Sequence, residues 1–279
     1  NQTIHKASIL GFHQHLSKVK VVGGKPFIPP LNHLNLFGTT AERVYGTAPD
    51  RIVTCGEKLK DIFSVYDEGS QYDVGASYRY AYLWDITDGS DHLQNYKMVT
   101  VLLPYHRKIS KYLIYLAATA LRNSMDNGYS VVIKAHPTFK RKDLFLLLKE
   151  VGLQDGRFEI TQKELKFLLP KSSAIITSAS SVTCEAICLG IPVVLVGMPV
   201  GLDFNVHDYM PSSMYKLAYA ISDLDFFLNK WALQHPLSAE ERRKIGKEVL
   251  EDFFEPVTKQ SLRVYLGDSE NSFGNSKKN

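Results

Sequence analysis

The sequence has few cysteines and no long apolar run, and both shortages narrow the kind of protein it can encode. Its 279 residues include three cysteines, Cys55, Cys184 and Cys188, so we expect buried free thiols in a reducing compartment and no disulfide framework. No stretch approaches the roughly 18–20 apolar residues that a membrane-spanning helix needs. The amino terminus shows neither an initiator methionine nor a signal-peptide pattern. We therefore predict a cytoplasmic chain that is a piece of a longer protein.

The signatures of common cofactor sites are also missing. The sequence has no Gly-x-Gly-x-x-Gly loop, no Walker-type loop and no His/Cys cluster with zinc spacing, so we expect neither a cofactor nor a metal. The net charge of +4, from 33 basic and 29 acidic residues, suits small anionic ligands or a peripheral membrane contact. The basic clusters 140–142 and 242–244 are interpreted as solvated helix faces, and no nucleic-acid partner is expected.

Strands and helices alternate regularly from residue 97 onward. Short β-branched or apolar runs predict strands at 98–103, 129–134, 158–160, 174–177 and 193–196, with helical patterns between them. This alternation predicts a mainly parallel, Rossmann-type sheet covered on both faces, and therefore an α/β fold.

The first 95 residues are less regular. They contain predicted strands at 8–12, 51–53 and 72–74 and a helix at 57–65, with loop between. We expect residues 1–95 to form a smaller, incomplete N-terminal lobe on the acceptor side. Residues 96–266 are expected to form the nucleotide-binding lobe, and 267–279 a disordered tail.

A hydroxyl-rich turn stands out between the predicted strand 174–177 and the next helix. Four residues crowd the turn and the start of that helix: Ser178, Ser180, Ser181 and Thr183. Backbone N–H groups and the positive end of the helix dipole favour an anion there, and hydroxyls add neutral donors. Glu185 lies near enough to reach ribose hydroxyls if a nucleotide phosphate occupies the turn. Alternatively, Ser180 or Ser181 simply caps the helix.

Other polar loops are predicted at the same edge of the sheet, because loops that follow parallel strands emerge together. Arg107 follows the first strand, His136-Pro137 the second, and Asn205 the fifth. A histidine with an ordinary pKa of about 6.5 can be cationic beside a phosphate, so a phosphate role is favoured over a structural one. The dipeptide recurs at His235-Pro236, which we interpret as a loop.

The segments Lys134–Pro137 and Ser178–Thr183 resemble the His-Pro and Ser-rich motifs of GT-B glycosyltransferases of bacterial surface-polysaccharide synthesis. The chain is similar to CMP-sugar-using sialyltransferases and Kdo transferases, in which the His and the Ser/Thr hydroxyls hold the CMP phosphate. Glu185 to Pro192 resembles the Glu-Ala-x-x-x-Gly-x-Pro pattern of GT-B donor lobes, where the Glu often meets the ribose. The resemblance covers about residues 97–254.

This resemblance implies a transferase that moves an acidic sugar, such as Kdo or sialic acid, from a CMP-activated donor to a glycan or lipid-linked acceptor. A lipid-linked acceptor implies peripheral association with the inner face of the bacterial inner membrane. The sialyltransferases also carry an acidic motif that supplies the catalytic base, and Asp67-Glu68-Gly69 matches it by letter. His13, His15 and Glu57 are further candidates for acid–base work. Arg79 is a candidate contact for a carboxylate or phosphate, and a structural role is open for each of these residues.

Three alternatives stay open at this point. CDP-glycerol-type phosphotransferases of teichoic acid synthesis also carry a His-Pro and a Ser-rich motif. A UDP-GlcNAc 2-epimerase shares the architecture. A non-catalytic nucleotide-binding module is the third, because the first lobe is predicted to be incomplete.

Overall fold

The computed structural model describes residues 2–16, 20–29, 38–67, 69–88, 96–136, 139–153, 158–178, 180–198 and 207–266. The chain divides into two compact units. The first comprises residues 1–28, 33–81 and 250–279, and the second comprises residues 29–32 and 82–249. Each contains parallel strands connected by helices, so the predicted α/β class is confirmed.

The first unit is built on a three-stranded parallel sheet in the order β1-β2-β3. Its elements up to residue 80 are α1 (Gln2–His15), β1 (Val22–Lys25), α2 (Thr40–Val44), β2 (Arg51–Thr54), α3 (Glu57–Tyr66), β3 (Tyr72–Val74) and a 3-10 helix (Tyr78–Tyr80).

Two predictions in this region are wrong. Residues 8–12 lie in α1 and not in a strand, because Gln2–His15 contains no proline and its single glycine costs a helix only about 1 kcal/mol. Gly23-Gly24 indicated a loop, yet both residues lie in β1, where Val22 pairs with Arg51 of β2. Pairing with a buried neighbour therefore overrides the local glycine signal.

The second unit follows the predicted alternation. The next elements of the chain are α4 (Ala81–Asp88), β4 (Met98–Leu102), α5 (Arg107–Asp126), β5 (Ser130–Lys134), α6 (Arg141–Glu150), β6 (Phe158–Thr161), α7 (Leu165–Leu168), a 3-10 helix (Leu169–Lys171), β7 (Ala174–Thr177), α8 (Val182–Cys188), β8 (Val193–Val196), a 3-10 helix (His207–Tyr209), β9 (Tyr215–Ala218), α9 (Ile221–Phe226), a π-helix (Phe227–Ala232) and α10 (Ala239–Phe253).

The six strands of this unit form one parallel sheet in the order β6-β5-β4-β7-β8-β9. β7 and β8 are buried along their whole length, as the apolar runs at 174–177 and 193–196 predicted. The chain first winds from β4 outward to β6 and then from β7 outward to β9. The direction of winding therefore reverses between β4 and β7, and this switch point is where doubly wound sheets bind ligands.

The chain returns to the first unit after residue 249. There α11 (Lys259–Arg263) and a 3-10 helix (Val264–Leu266) complete the described elements. Glu255 N donates to Cys55 O at 2.6 Å, and Tyr265 Oη donates to Ala76 O at 3.0 Å. Along the chain, the boundaries between the compact units therefore include 81/82 and 249/250, while the division into lobes at 95/96 stays a prediction. The tail 267–279 lies outside the described residues, in which no helix is long and apolar enough to cross a membrane.

Candidate functional site

The switch point of the six-stranded sheet is formed by the segments that follow β4 and β7. Residues 103–106 lead from β4 into α5, and the Ser-rich turn leads from β7 into α8. His136 follows β5, the strand on the other side of β4. All three segments leave the same edge because the strands are parallel. The topology therefore brings the predicted imidazole and the predicted hydroxyls to one edge of the sheet.

The serines of the turn do different things. Ser178 is fully buried, and its Oγ donates to Val196 O at 2.7 Å, which ties the end of β7 to β8. Ser180 Oγ accepts a hydrogen bond from Val182 N at 3.3 Å. Ser181 occupies the N-cap of α8, but its side chain makes no capping hydrogen bond. Capping therefore does not account for the Ser181 hydroxyl, which lies half-exposed at the carboxyl edge of the sheet.

Thr183 and Glu185 are both buried in α8. Thr183 Oγ1 has no hydrogen-bond partner among the described residues, which is uncommon for a buried hydroxyl. Glu185 accepts a hydrogen bond from the Tyr82 hydroxyl, which fixes the orientation of the carboxylate. Sequence reasoning missed Tyr82, because 103 positions separate it from Glu185 and no local pattern connects them.

His136 belongs to a small aromatic cluster. The Tyr105 ring meets the His136 ring edge-on, with centroids 5.2 Å apart, and meets the His106 ring in the same way at 5.3 Å. Tyr105 is 60% exposed, so this ring is oriented by two imidazoles and still presented to solvent. Sequence reasoning noted the segment but not Tyr105 itself. Its position directly after a strand was the available signal.

The other predicted donor-side residues are Arg107, Pro137 and Asn205. Arg107, the first residue of α5, forms an ion pair with Asp143 of α6 and lies over the Phe139 ring at 5.7 Å. Its guanidinium is therefore engaged with neighbouring side chains. Pro137 and Asn205 lie outside the described residues.

Asp67, the candidate base found by letter matching, lies in a buried network of the first unit. Its carboxylate accepts hydrogen bonds from Arg43 Nη1 at 2.7 Å, Gly38 N at 3.0 Å and Tyr72 Oη at 3.0 Å. Burial alone raises the pKa of Asp67, but hydrogen bonds from Ser70, Gly38 and Tyr72, together with the charge of Arg43, lower it. A general base needs a lone pair facing the substrate, so this geometry favours a stabilising role for Asp67.

His13 lies near the end of α1 and is also engaged. Its Nδ1 lies 2.8 Å from Gly46 O, and its Nε2 lies 3.2 Å from Asp50 Oδ2. The hydrogen bond to Gly46 raises the pKa of His13, burial opposes it, and Asp50 adds to the rise. Arg79 lies in the 3-10 helix after β3, with its guanidinium 5.6 Å from the Tyr80 ring.

The first-unit candidates do not converge on one place. Asp50, the partner of His13, precedes β2, and Asp67 precedes β3, so both lie toward the amino edge of the three-stranded sheet. Glu57 follows β2 and begins α3, at the carboxyl edge, about 15 Å along that helix from Asp67. Glu57 is exposed and pairs with Lys60 Nζ at 3.0 Å. Its side chain is more exposed than that of Asp50, and that of Asp67 is buried.

Metal binding has no candidate in the part of the chain that the structure describes. No group of three or more His, Cys, Asp or Glu side chains is arranged to hold an ion there. The buried Cys188 of α8 stays a thiol at neutral pH, because burial and the nearby Cys184 and Glu185 raise its pKa well above the ordinary value.

Solved structures establish which fold this is. The structure is similar to S. aureus MnaA with UDP, at 13% identity and a TM-score of 0.60, over 95% of this chain and 81% of that one. It is also similar to a glycosyltransferase from Rickettsia africae ESF-5, at 14% identity and a TM-score of 0.51, over 81% of this chain and 64% of that one. The fold is thus GT-B-like, as the sequence predicted.

A third similar structure is a mutant of S. aureus TarM in complex with fondaparinux, alpha-GlcNAc-glycerol and UDP. It matches at 13% identity and a TM-score of 0.51, over 92% of this chain and 53% of that one. The chain therefore spans about half the length of TarM and less than two thirds of the Rickettsia enzyme. No protein-family model matches the sequence, and no curated protein matches it either.

Proposed function

We propose that this chain is part of a glycosyltransferase that binds the nucleotide of an activated sugar at the carboxyl edge of its six-stranded sheet. The observation that carries the proposal is the strand order, in which β5, β4 and β7 are parallel neighbours. His136 and the Ser-rich turn then lie two strand spacings apart, roughly 10 Å between backbones. Side chains that reach inward from both sides of such a gap can hold one phosphate group.

The proposed chemistry is stabilisation of the leaving nucleotide. His136 supplies an imidazole donor, and Ser180 and Ser181 supply hydroxyl donors, so negative charge that develops on the phosphate meets fixed partners. Ser178 contributes indirectly, by holding the turn against β8. Thr183 lies in the first turn of α8 and is a further proposed nucleotide contact. Pro137, Arg107 and Asn205 also remain proposed donor-side residues.

Ribose recognition is assigned to Glu185. Its carboxylate is oriented by the Tyr82 hydroxyl, which supports a fixed acceptor for sugar hydroxyls at the start of α8. A tyrosine-held carboxylate loses less side-chain freedom on binding than a solvated one, which favours affinity.

The donor is proposed to carry CMP and an acidic sugar such as Kdo or sialic acid, on the strength of the His-Pro and Ser-rich motifs. UDP is the second candidate, because the solved structures of MnaA and TarM that resemble this chain contain UDP. Calorimetric titration with CMP, CDP and UDP separates the options. Tightest binding of CMP supports the proposal, and tightest binding of CDP or UDP directs it to a CDP-glycerol-type phosphotransferase or a UDP-GlcNAc 2-epimerase-like enzyme.

The acceptor is proposed to be a glycan or a lipid-linked glycan, which would require peripheral contact with a membrane. Glu57 is favoured as the base that takes the proton of the acceptor hydroxyl, because it is exposed at the carboxyl edge of its sheet. Asp67 and His13 are the competing candidates, and Arg79 is a proposed acceptor contact. Glu57→Gln should lower kcat by about 100-fold or more while CMP affinity stays unchanged.

The binding site itself is tested by His136→Ala and Ser181→Ala. Each variant should weaken CMP binding about tenfold or more, since each removes a hydrogen bond to a charged group. His5→Ala and Ser64→Ala, at two exposed positions of the first unit, are matched controls that should bind CMP like the wild type. Unchanged CMP affinity in both site variants would falsify the assignment. Binding without turnover on any acceptor would instead indicate the non-catalytic module.

A further inference from the structure

A second cavity lies at the opposite, amino edge of the six-stranded sheet. It has a volume of about 350 Å³, and its walls come from the starts of β4, β5, β7 and β8 together with the segment that leads into α10. The strands of this sheet are four or five residues long, so the two edges lie about 15 Å apart. The cavity is therefore separate from the proposed nucleotide site.

Two cationic side chains line this cavity, Lys97 and Arg242. Among the described residues, those that line it include no aspartate or glutamate, and neither cation has a carboxylate within ion-pair distance. Two uncompensated positive charges that face one half-enclosed space create a favourable potential for an anion.

Arg242 is held in place by neutral partners. Its Nε donates to Gly190 O at 3.1 Å, and its Nη1 donates to Leu237 O at 2.9 Å. Gly190 has a φ of +72°, and a Cβ there would approach the Arg242 backbone to 3.0 Å. Both features favour glycine at the position whose carbonyl accepts the Arg242 hydrogen bond. Backbone carbonyls orient the guanidinium without cancelling its charge, and the Nη2 donors are left for an anion.

His235, from the second His-Pro dipeptide, also lines the cavity, and nearby positive charges affect its pKa. Its Nε2 lies 3.1 Å from Ser213 O, and its Nδ1 accepts from Leu237 N at 3.1 Å, which requires the neutral tautomer with the proton on Nε2. Burial lowers the pKa of His235, and the charges of Arg242 and Lys216 lower it further. The imidazole is thus a neutral wall of the cavity in a positive field.

We propose that this cavity is a second anion site, which binds the phosphate group of a small molecule between Lys97 and Arg242. Arginine forms forked hydrogen bonds to phosphate oxygens, and lysine adds a mobile point charge. The Tyr129 ring, 6.0 Å from Lys97 Nζ, forms one side of the space. The volume exceeds that of a lone ion, so an esterified phosphate fits as well as inorganic phosphate.

Trp231 provides a local probe, because its ring lies 4.9 Å from the His235 ring. The chain has two tryptophans, so Trp84→Phe leaves Trp231 as the reporter. In that background, phosphate added at constant ionic strength should change Trp231 emission in a saturable manner. Lys97→Gln should weaken this binding roughly tenfold, the loss expected for one charged hydrogen bond. The Lys97 side chain makes no hydrogen bond with the described residues, and its backbone carbonyl keeps its bonds to Ser130 in the variant, so the fold should survive.

Lys244→Gln is the matched control, since it removes the same charge from an exposed position of α10 that does not line the cavity. It should bind phosphate like its parent. His136→Ala should also leave this binding unchanged, which keeps the second site distinguishable from the nucleotide site. Tighter binding of glucose 1-phosphate than of inorganic phosphate assigns an esterified ligand, and the reverse assigns free phosphate. The proposal is overturned if sodium chloride produces the same emission change, or if Lys97→Gln and Lys244→Gln behave alike.

Discussion

The two compact units hold their candidate residues in different ways. In the second unit, His136 and Ser181 follow parallel strands beside a switch point, and the Ser181 side chain takes no part in capping α8. In the first unit, Asp67 and His13 are each bound by several partners of their own fold. Position after a strand therefore selected residues at the carboxyl edge of the sheet, where we propose that the nucleotide binds, whereas the match by letter selected Asp67, which is hydrogen-bonded within its own unit.

The difference follows from sheet size and topology. The six-stranded parallel sheet has a switch point, where two neighbouring loops run in opposite directions. Polar side chains there need not hydrogen-bond to other parts of the fold. The three-stranded sheet of the first unit, in the order β1-β2-β3, has no such switch point. Its small core is supplemented by polar networks and by residues 250–266 of the returning chain. The predictions below test this contrast, beginning with the largest expected effect.

The largest effect is expected where the returning chain end packs on the first unit. A Cβ added at Gly56 would lie 2.2 Å from the backbone carbon of Phe253, and backbone cannot rotate away. Gly56→Ala should therefore destabilise the first unit by about 3 kcal/mol, measured by urea unfolding. Gly128→Ala is a poor control because its φ is +82°, so Ala48→Gly, at a partly exposed position between α2 and β2, is preferred. A Gly56→Ala protein of unchanged stability would show that residues 250–266 do not complete this unit.

The Asp67 network comes next. Asp67→Ala leaves Arg43 without its carboxylate and Tyr72 without its acceptor, so we expect a loss of about 2 kcal/mol. Asp61→Ala, an exposed carboxylate on α3, should cost much less. Since the folded pKa of Asp67 is lowered, the stability it contributes is present above the unfolded pKa and is lost as the pH falls through the folded value. Preserved stability with abolished turnover would instead make Asp67 the base and remove the contrast between units.

The sequence predicts the second unit better than the first. The alternation from β4 to β8 was predicted within a residue or two, because buried parallel strands and amphipathic helices have strong local patterns. β1 was missed because Gly23-Gly24 resembles a loop until β2 pairs with it. The bond from Tyr265 to Ala76 spans 189 positions, and that from Tyr82 to Glu185 spans 103. No local periodicity encodes contacts between residues so far apart in sequence. The Ser-rich turn could therefore be predicted from the sequence, whereas these long-range hydrogen bonds could not.

A smaller effect separates two serines of the same turn. Ser178→Ala removes the bond to Val196 O and should cost about 1 kcal/mol of stability, with CMP affinity close to that of the wild type. Ser181→Ala should show the reverse pattern, because its hydroxyl caps nothing. Thermal unfolding and CMP titration on both variants give the comparison. If both serines behave alike in both measurements, the division between supporting and binding hydroxyls is wrong.

The smallest effect concerns Lys25, a half-buried cation of the first unit. Its Nζ lies 4.1 Å from the centroid of the Phe63 ring, and burial lowers its pKa to about 8, although Asp67 opposes the shift. A folded pKa below the unfolded value of about 10.4 means that the unfolded chain binds more protons between these values, so this group adds stability as the pH rises through that window. Lys25→Met should therefore gain stability over the wild type at pH 7 and lose that advantage by pH 10.5, while the exposed Lys58→Met should show no such trend. Urea midpoints across this range measure the difference, which we expect to be modest because water reaches the amine. A constant difference at every pH would mean that the Lys25 amine is solvated. The first unit would then hold its charged groups less tightly than the comparison with the second unit implies.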